Sequence, residues 1–399
     1  MVKKDRSAIV NKTYLMKMLP LLYQNHLKNQ LEESQLIFLN LLIKILQEIK
    51  QVSIEKIATA LPIPILFNSR RKKIQRFLSL PTWNIQSIWF PIIQAWLSQN
   101  FDQDQPIYLA IDRTSWKQKN LLMISIIYDK RAIPVYFELL PKLGASSFAE
   151  QTKAFSQVLE LFNSYRTVVL GDREFCSVKL ANWLREQDVE FCLRLKKNEF
   201  IKFSNNVWCQ LDDLGLKPGI SFFIENVKVT KNKNLKFRGF NIAGKWQKKY
   251  KGSTTPEGWF ILTNMSSSLS AIQAYKQRFN IEEMFRDFKS GGYNLEETNV
   301  EGLRFISLVL ILSFAYCYAT FSGKIIKQKG LQKYINRVKE YGRIPRRHSS
   351  FYIGLYGQTW VKFRDDCWDL VQDLMRLSLH KLEHYLRGIR AMNLIQSCF

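Results

Sequence analysis

Ile107-Tyr-Leu-Ala-Ile111 is a short apolar run that ends at Asp112, and two further apolar runs follow at 121–128 and 132–140. The connection between those two runs, Asp129-Lys-Arg131, is short and polar, as in a β-hairpin. Further along, the pattern predicts a helix over 147–165, a strand over 167–170, a helix over 176–187 and a strand over 190–195. These runs predict three strands in a meander, followed by two helix–strand units.

That order of elements predicts an α/β protein with a mixed sheet of the ribonuclease H type rather than a doubly wound parallel sheet. Residues 198–258 interrupt this alternation of helices and strands with short strand-like pieces, which predicts an inserted β subdomain. Its segment 228–251 holds nine Lys or Arg residues and no acid, so it is either a cationic DNA-facing surface or an ordinary solvated loop. Residues 259–263 return to strand character, and one long helix is predicted over 268–290.

The flanking regions are predicted to be helical. Ser53 is a plausible N-cap for a helix over 54–60, and Pro62 and Pro64 end that helix. The next helix opens at Ser69 and is strongly basic, so the pair resembles a helix-turn-helix, although a solvated basic face fits equally well. The candidate DNA contacts on this helix are Arg70, Arg71, Lys72, Lys73 and Arg76.

The predicted organisation is a helical DNA-binding domain over 1–100, a catalytic domain over 101–325 and a C-terminal helical region over 326–399 for DNA contact or dimerisation. The chain holds 59 Lys and Arg against 34 Asp and Glu, a net charge of +25 that favours nucleic acid over other partners. The six Cys residues include no C-x-x-C pair, and the N-terminus lacks the features of a secretory signal. Phe305–Phe321 carries no charge and is expected to be a buried core helix rather than a membrane span.

Two acids stand where apolar strands are predicted to end. Asp112 follows the first strand and Asp172 follows the fourth, and each alone is often a turn former. In a mixed sheet the ends of these strands can be neighbours, which would let both carboxylates share hard cations. With a third acid, Glu282, they would form an oxygen-rich site for two Mg²⁺ ions, and Mn²⁺ is expected to substitute.

Glu282 lies in Tyr275-Lys-Gln-Arg-Phe-Asn-Ile-Glu-Glu-Met-Phe-Arg-Asp-Phe-Lys289, which is predicted to be helical. At about 100° per residue, Tyr275, Arg278, Glu282 and Lys289 fall within roughly 60° of one another on one face. This face is either a solvated stripe with an Arg278–Glu282 ion pair or a site where an acid binds metal and cations bind phosphate. The neighbouring Glu283 is expected to face elsewhere.

The spacing Tyr-x2-Arg-x3-Glu-x6-Lys resembles the signature of one group of insertion-sequence DDE transposases, the IS-four type. Ala110-Ile-Asp-Arg-Thr-Ser115 and Leu170-Gly-Asp-Arg-Glu-Phe175 resemble the first and second acid motifs of that family. The resemblance covers about residues 105–325.

The resemblance implies that Asp112, Asp172 and Glu282 are the catalytic metal ligands. It implies that Arg278 and Lys289 hold phosphates beside Tyr275, and that Arg173 is a further phosphate contact. Trp259 stands where hairpin-forming relatives place a tryptophan that stacks on an extruded base, although an aromatic residue at a strand start usually packs in a core.

The expected function is a cut-and-paste DNA transposase that binds the terminal inverted repeats of its element, cleaves the ends and joins the 3′-hydroxyls to target DNA. The expected partners are DNA and a second copy of the chain in a paired-end complex, without a membrane. The expected location is the cytoplasm, at the nucleoid of a prokaryote. Two alternatives remain open: a nuclease that cuts without joining, and an inactive descendant that acts as a DNA-binding repressor.

Overall fold

The computed structural model describes residues 21–202, 207–230, 239–248, 257–339 and 348–399. The chain divides into two compact units, which we call the helical unit (Met1–Ile92 with Arg286–Phe399) and the sheet unit (Ile93–Phe285). The predicted cationic run over 228–251 lies partly outside the described residues, as does the N-terminal stretch 1–20.

The sheet unit is built on a ten-stranded sheet with the order β3-β2-β1-β4-β5-β10-β9-β8-β6-β7. Its strands are β1 (Ile107–Trp116), β2 (Lys119–Tyr128), β3 (Arg131–Leu139), β4 (Thr167–Gly171), β5 (Glu190–Arg194), β6 (Phe200–Lys202), β7 (Trp208–Gln210), β8 (Ser221–Thr230), β9 (Phe240–Lys245) and β10 (Trp259–Thr263). The first three strands are antiparallel, whereas β4 and β5 run parallel to β1. This topology confirms the predicted mixed sheet of the ribonuclease H type.

Two helices connect the parallel strands. Phe148–Val158 joins β3 to β4, with a 3-10 turn at its end, and Val178–Glu186 joins β4 to β5. The side chains of Ser147 and Ser177 cap their N-termini, accepting hydrogen bonds from the backbone amides of Glu150 and Leu180 respectively. The two capped helices are thus the crossover connections that allow β4 and β5 to run parallel to β1.

The sequence prediction for the end of the first strand is wrong. Strand β1 does not stop at Asp112 but continues to Trp116, and Asp112 itself pairs with Met123 of β2. Only the parallel pairing with β4 stops there, at Ile111 with Gly171. Beyond that point β1 continues to form ladder hydrogen bonds with β2 in the hairpin. The apolar run from which the strand was predicted is shorter than the strand itself.

The insertion after β5 joins the same sheet. Its last strand, β9, pairs with β10 in an antiparallel ladder, and β8 and β6 extend the sheet outward from there. Strand β10 pairs with β5 on its other side. The inserted strands therefore extend the central sheet on the side away from β1.

The predicted single helix over 268–290 is also wrong. The structure has one helix over Ser268–Gln277 and a second over Phe279–Phe288. At the junction, Ile281 donates to the carbonyl of Arg278 three residues earlier, and the side-chain amide of Asn280 donates to the carbonyl of Gln277. Asn280 thereby takes the acceptor that the α-helical ladder would have used, and the turn tightens at Arg278.

The helical unit contains the remaining elements. Its helices are Leu21–Lys28, Glu33–Ile49, Ile54–Ala60, Phe67–Phe77, Gly302–Gln328, Gln332–Ile335, Ser350–Asp366, Trp368–Leu377 and Leu382–Gln396, and Phe90–Asn100 leads from it into the sheet unit. The predicted N-cap is confirmed, because Ser53 precedes Ile54–Ala60 and its side chain accepts from the amide of Lys56. The predicted basic helix is present and begins two residues early, at Phe67.

Helix Gly302–Gln328 is, among the described residues, the one helix long and apolar enough to cross a membrane. Most of its apolar stretch is buried inside the protein. The expectation of a core helix over Phe305–Phe321 is therefore confirmed by its burial. Close packing against Ser350–Asp366 depends on two glycines. A Cβ at Gly323 would lie 1.8 Å from the carbonyl oxygen of Ser350, and one at Gly354 would lie 1.8 Å from that of Ala319.

Candidate active site

Asp112 and Asp172 come from neighbouring parallel strands in matching register. The last pair between β1 and β4 is Ile111 with Gly171, so each acid is the next residue of its chain. Adjacent strands lie about 4.8 Å apart. A Cβ at Gly171 would lie 2.9 Å from side-chain atoms of both Leu193 and Phe175, so the absence of a side chain there is required by the packing. The structure therefore brings the two predicted acids together.

Backbone amides hold both carboxylates. Oδ1 of Asp112 accepts a hydrogen bond of 2.8 Å from the amide of Arg113, and Oδ1 of Asp172 accepts one of 2.8 Å from the amide of Glu174. Such local bonds are usual for aspartate where the backbone leaves a strand, as at Asp172, whereas Asp112 makes its bond within β1. They leave the second oxygen of each carboxylate available for another partner.

The residues that follow the two acids form a bridge that the sequence prediction missed. Arg113 Nε lies 2.6 Å and 2.7 Å from the two carboxylate oxygens of Glu174. Glu174 Oε1 also accepts from the amide of Ser146, and Arg113 Nη1 donates to Asn120. The bridge ties β1 to the segment after β4 directly beside the acids. A cation one residue after Asp112 and an anion two residues after Asp172 were visible in the sequence, but their pairing depends on the strand register.

Arg278 joins the helical segment to the first acid. Its Nη2 lies 2.5 Å from Oε1 of Glu282, and its Nη1 lies 3.5 Å from Oδ2 of Asp112. Only 4% of the Arg278 side chain is exposed, whereas 51% of Glu282 is exposed. The Arg278–Glu282 ion pair expected from the sequence is therefore present, and its guanidinium is buried against Asp112 rather than solvated. Glu283 faces elsewhere, as predicted, and pairs with Arg131 at 3.5 Å.

The charges around Asp112 alter its proton affinity. The pKa of Asp112 is raised to about 7, chiefly by burial and also by the neighbouring Asp172 and Glu282, while the Arg278 guanidinium acts in the opposite direction. A buried carboxylate favours its neutral form unless positive charge compensates it. The site therefore holds more negative charge than the single arginine balances.

The donor set fits a hard divalent cation. Asp112, Asp172 and Glu282 offer only carboxylate oxygens, which Mg²⁺ and Mn²⁺ prefer, and a divalent cation would offset the burial and the neighbouring acids that raise the pKa of Asp112. As the side chains stand, no three His, Cys, Asp or Glu residues in the described part of the chain converge on one point. The third carboxylate, Glu282, is instead held by Arg278, so metal binding requires it to turn.

Tyr275 and Trp259 lie in an aromatic cluster beside Arg278. Their ring centroids are 5.2 Å apart at 70°, and Phe279 lies 5.8 Å from Trp259. Tyr275 is fully buried, while Trp259 is partly exposed. Burial raises the pKa of Tyr275, and the nearby Arg278 and Arg194 oppose that rise. The structure thus brings Tyr275 and Trp259 together with Arg278.

Lys289 is not part of the helix. It follows the end of Phe279–Phe288, belongs to the helical unit, and pairs with Glu296 at 2.8 Å. Gly291 and Gly292 follow, and the amide of Gly291 bonds back to the carbonyl of Arg286. The prediction that Lys289 continues the face of Tyr275 on one helix is therefore wrong, because the helix of Tyr275 ends at Gln277 and the next helix ends at Phe288.

Arg173 and Arg194 share one carboxylate. Glu257, just before β10, accepts from Nη2 of Arg173, and Arg194 Nη2 lies 2.8 Å from the same Glu257 oxygen. Arg194 ends β5 and is 14% exposed. The sequence prediction included Arg173 and missed Arg194, because an arginine at the end of a short strand carries no distinctive signal.

The five predicted DNA contacts of the basic helix differ in their surroundings. Arg70 donates to the carbonyl of Leu61, and Arg71 pairs with Glu55 at 3.2 Å, so both hold this helix to the preceding turn and helix. Lys72, Lys73 and Arg76 are exposed, and Lys73 Nζ lies 5.2 Å from the centre of the Phe38 ring. The exposed cations are the ones positioned to meet a ligand.

The fold and the acid pair define an α/β protein of the ribonuclease H type with a carboxylate-rich site where the pairing of β1 with β4 ends. The sequence profile of the transposase DDE domain family matches residues 106–318, just over half of the chain. The chain therefore belongs to the DDE transposase family. A comparison with curated proteins gives no match.

Two solved structures resemble the chain at low identity. A piggyBac transposase, determined by cryo-electron microscopy as a synaptic complex with hairpin DNA, is 12% identical, with 96% of this chain and 82% of that chain covered and a TM-score of 0.41. The Argonaute of Marinitoga piezophila, in complex with guide RNA and target DNA, is 11% identical, with 50% and 31% covered and a TM-score of 0.22. At these scores neither structure bears on what this chain binds.

Proposed function

We propose that the protein is a cut-and-paste DNA transposase of the IS-four type. It binds the terminal inverted repeats of its element, cleaves the element ends and transfers the 3′-hydroxyls to target DNA. The observation that carries this proposal is the adjacent register of Asp112 and Asp172, with Arg278 linking Asp112 to Glu282, inside the region matched by the family.

Asp112, Asp172 and Glu282 would hold two Mg²⁺ ions, with Mn²⁺ as a substitute. Metal ions in such sites activate a water or hydroxyl nucleophile and stabilise the leaving oxygen of a phosphodiester. The chain's own contribution is positional. The amides of Arg113 and Glu174 orient the two aspartates, and the Arg113–Glu174 bridge keeps the strands that carry them in register.

Arg278 acts as a charge balance before DNA binds and as a phosphate contact afterwards. Its Nη1 lies 3.5 Å from Asp112 Oδ2, and its Nε is buried without a hydrogen-bond partner in the described residues, so Nε is the donor left for a phosphate oxygen. Were Glu282 to hold metal instead of Arg278, Nη2 would become available as well. Lys289 and Arg173 supply further phosphate contacts, and Trp259 stacks on a base of the cleaved strand, with Tyr275 supporting its ring.

The domain roles follow the predicted division of the chain. Residues 1–100 read the element ends, residues 101–325 carry out the chemistry, and residues 326–399 contact DNA or a second protomer. Pairing two ends before joining requires a homodimer on DNA. The surplus of cations, 59 against 34 acids, supports binding to polyanionic DNA, and the expected location is the nucleoid in the cytoplasm.

The test compares two neighbouring glutamates. The substrate is a linear DNA that carries the inverted repeats bracketing the gene, supplied with target DNA and Mg²⁺. Wild type is expected to give cleaved ends and joined product. Glu282→Gln should lower cleavage by about a thousandfold or more, the scale on which metal ions contribute to catalysis. Glu283→Gln removes the same charge one residue away and should cleave normally.

Three other outcomes would correct the proposal. Cleavage without joined product from precut 3′-hydroxyl ends would identify a nuclease. End binding without cleavage by wild type would identify a repressor. Equal cleavage by Glu282→Gln and Glu283→Gln would remove Glu282 from the site.

A further inference from the structure

Glu257 occupies a position between two arginines of the candidate active site. One of its carboxylate oxygens accepts from Nη2 of Arg173 and lies 2.8 Å from Nη2 of Arg194. Arg173 directly follows the second acid, and Arg194 ends β5, the strand next to β4. The two guanidiniums therefore converge on one anionic group beside Asp172.

In the described part of the chain, Arg173 and Arg194 share a single ion-pair partner. Burial lowers the pKa of Arg194, the Tyr275 phenol acts against that, and the nearby charges of Arg173 and Arg278 lower the pKa further. Within the described residues, Glu257 is the one carboxylate paired with Arg173 or Arg194. One carboxylate thus faces two guanidiniums, while the third, Arg278, is already paired with Glu282 and Asp112.

A phosphodiester is the ligand that matches this arrangement. Guanidinium groups bind carboxylate and phosphate through the same parallel N–H donors, so an anion that holds two guanidiniums marks a geometry that a phosphate can also use. Glu257 can leave, because 37% of its side chain is exposed. Arg194 would stay in place, because its side chain is largely buried and its Nη2 also lies 3.5 Å from the carbonyl of Gly258.

We infer that Arg173 and Arg194 form a subsite for a DNA backbone phosphate, and that Glu257 is an internal anion that occupies this subsite until DNA displaces it. The inference rests on the proposed function, since it assigns the contacts of the same DNA. Displacement of Glu257 weakens binding to every duplex by the same factor. DNA that makes additional specific contacts elsewhere keeps its advantage over random DNA, because the common factor leaves the ratio of their affinities unchanged.

The competing interpretation is a permanent structural link, in which Glu257 fastens the start of β10 to the ends of β4 and β5. The two interpretations predict opposite results for Glu257→Gln, which keeps the shape of the side chain and removes its charge. A competing anion, once neutralised, strengthens DNA binding. A structural link, once weakened, lowers stability and leaves DNA binding unchanged or weaker.

The experiment measures binding of a fluorescent duplex of arbitrary sequence, about 30 base pairs long, over a range of NaCl concentrations without divalent metal. Glu257→Gln is expected to bind about tenfold more tightly than wild type, the scale of one charge-assisted contact, with a steeper salt dependence. The matched control is Glu225→Gln on β8, which adds the same net charge; Glu225 is exposed and makes no ion pair with a described residue. It should change affinity by less than about twofold.

A double variant isolates the subsite. Arg194→Gln should weaken binding and reduce the salt slope by about one. Glu257→Gln should then give no gain in the Arg194→Gln background, because the released donor is missing. Urea unfolding of each variant separates a binding change from a loss of folded protein.

Two results would overturn the inference. One is equal binding by Glu257→Gln and Glu225→Gln, and the other is a tenfold gain that persists in the Arg194→Gln background. In either case wild type still binds and cleaves, so the proposed function stands. If wild type fails to bind any duplex, both the inference and the proposed function fail.

Discussion

Two arginine–glutamate pairs in this protein have similar chemistry and very different surroundings. In the helical unit, Arg71 and Glu55 join two short helices at 3.2 Å, with 41% and 57% of their side chains exposed. In the sheet unit, Arg278 contacts Glu282 at 2.5 Å and Asp112 at 3.5 Å, with 4% of the guanidinium side chain exposed.

The difference lies in what balances the charge of the neighbouring carboxylates once each arginine is removed. Water and salt already screen the Arg71 pair, and such surface pairs contribute about 0–1 kcal/mol to stability. Arg278 compensates carboxylate charge in a buried site, where an unpaired charge is costly. A cation of the first kind can turn to DNA at little cost, whereas one of the second kind can leave its acids only when another positive charge takes its place.

The largest effect is expected from Arg278→Gln. Loss of one partner of a buried ion pair should lower the free energy of unfolding by about 3 kcal/mol in metal-free protein. Arg71→Gln should lower it by less than about 1 kcal/mol. Urea unfolding of both variants with and without Mg²⁺ checks the contrast. The metal should stabilise Arg278→Gln more than wild type, because it supplies the missing positive charge. Equal stabilities of the two variants would show that Arg278 does not compensate the acids.

A smaller effect is expected when the Arg113–Glu174 bridge beside the acids is broken. Glu174→Gln breaks the contact with Arg113 and should lower the free energy of unfolding by about 1–3 kcal/mol. It should also slow cleavage by up to about a hundredfold, because misplacement of Asp112 and Asp172 costs that much.

Glu190 offers a matched control for Glu174. It forms a similar two-contact pair with Arg166, at 2.7 Å and 2.9 Å, at the opposite end of β5 from the acids. Glu190→Gln should therefore affect stability and leave the cleavage rate of the folded enzyme unchanged. Unfolding curves and initial cleavage rates on the same preparations separate the two effects. A comparable loss of cleavage in both variants would show that the Arg113–Glu174 bridge has no special role in positioning the acids.

The smallest effects are expected on the basic helix. Lys72→Gln and Arg76→Gln should leave the unfolding free energy within about 0.5 kcal/mol of wild type. Each should reduce the slope of log affinity against log salt by about 0.9, the value for one phosphate contact. Binding of the element ends measured by fluorescence anisotropy at several NaCl concentrations tests this. Unchanged slopes in both variants would place the DNA contact elsewhere.

Much of the central sheet was predictable because β1 to β5 and β10 contain apolar runs near polar turns, whereas the inserted strands β6 to β9 were predicted only as short strand-like pieces. The prediction for residues 259–263 agrees with β10, and the turn between β2 and β3 occurs where expected, with Asp129 and Lys130 at positive φ. The errors occur where tertiary contacts compete with local pattern. Strand β1 continues past Asp112 because β2 pairs with it, and the long helix divides at Arg278 because Asn280 takes a backbone acceptor.

In the candidate active site, too, some features were visible in the sequence and others depend on tertiary contacts. The spacing of Tyr275, Arg278 and Glu282 and the positions of Asp112 and Asp172 were visible in the chain, because chemically unusual residues in a regular pattern are recognisable without coordinates. Their roles as metal and DNA ligands remain predictions. The Arg113–Glu174 bridge could not be predicted, since its two residues are 61 positions apart and meet only when β1 and β4 pair in one register.

The sequence by itself indicated a mixed α/β sheet, the order of its strands along the chain, the two acids that follow apolar runs and the excess of positive charge. All of these follow from local periodicity and composition. Only the tertiary structure decided which charges are buried and which partners they share. Arg278 and Arg71 look alike in the sequence, but the packing around each one sets whether solvent or a carboxylate balances its charge. The same packing placed Glu257 between Arg173 and Arg194, an arrangement that no spacing in the chain records.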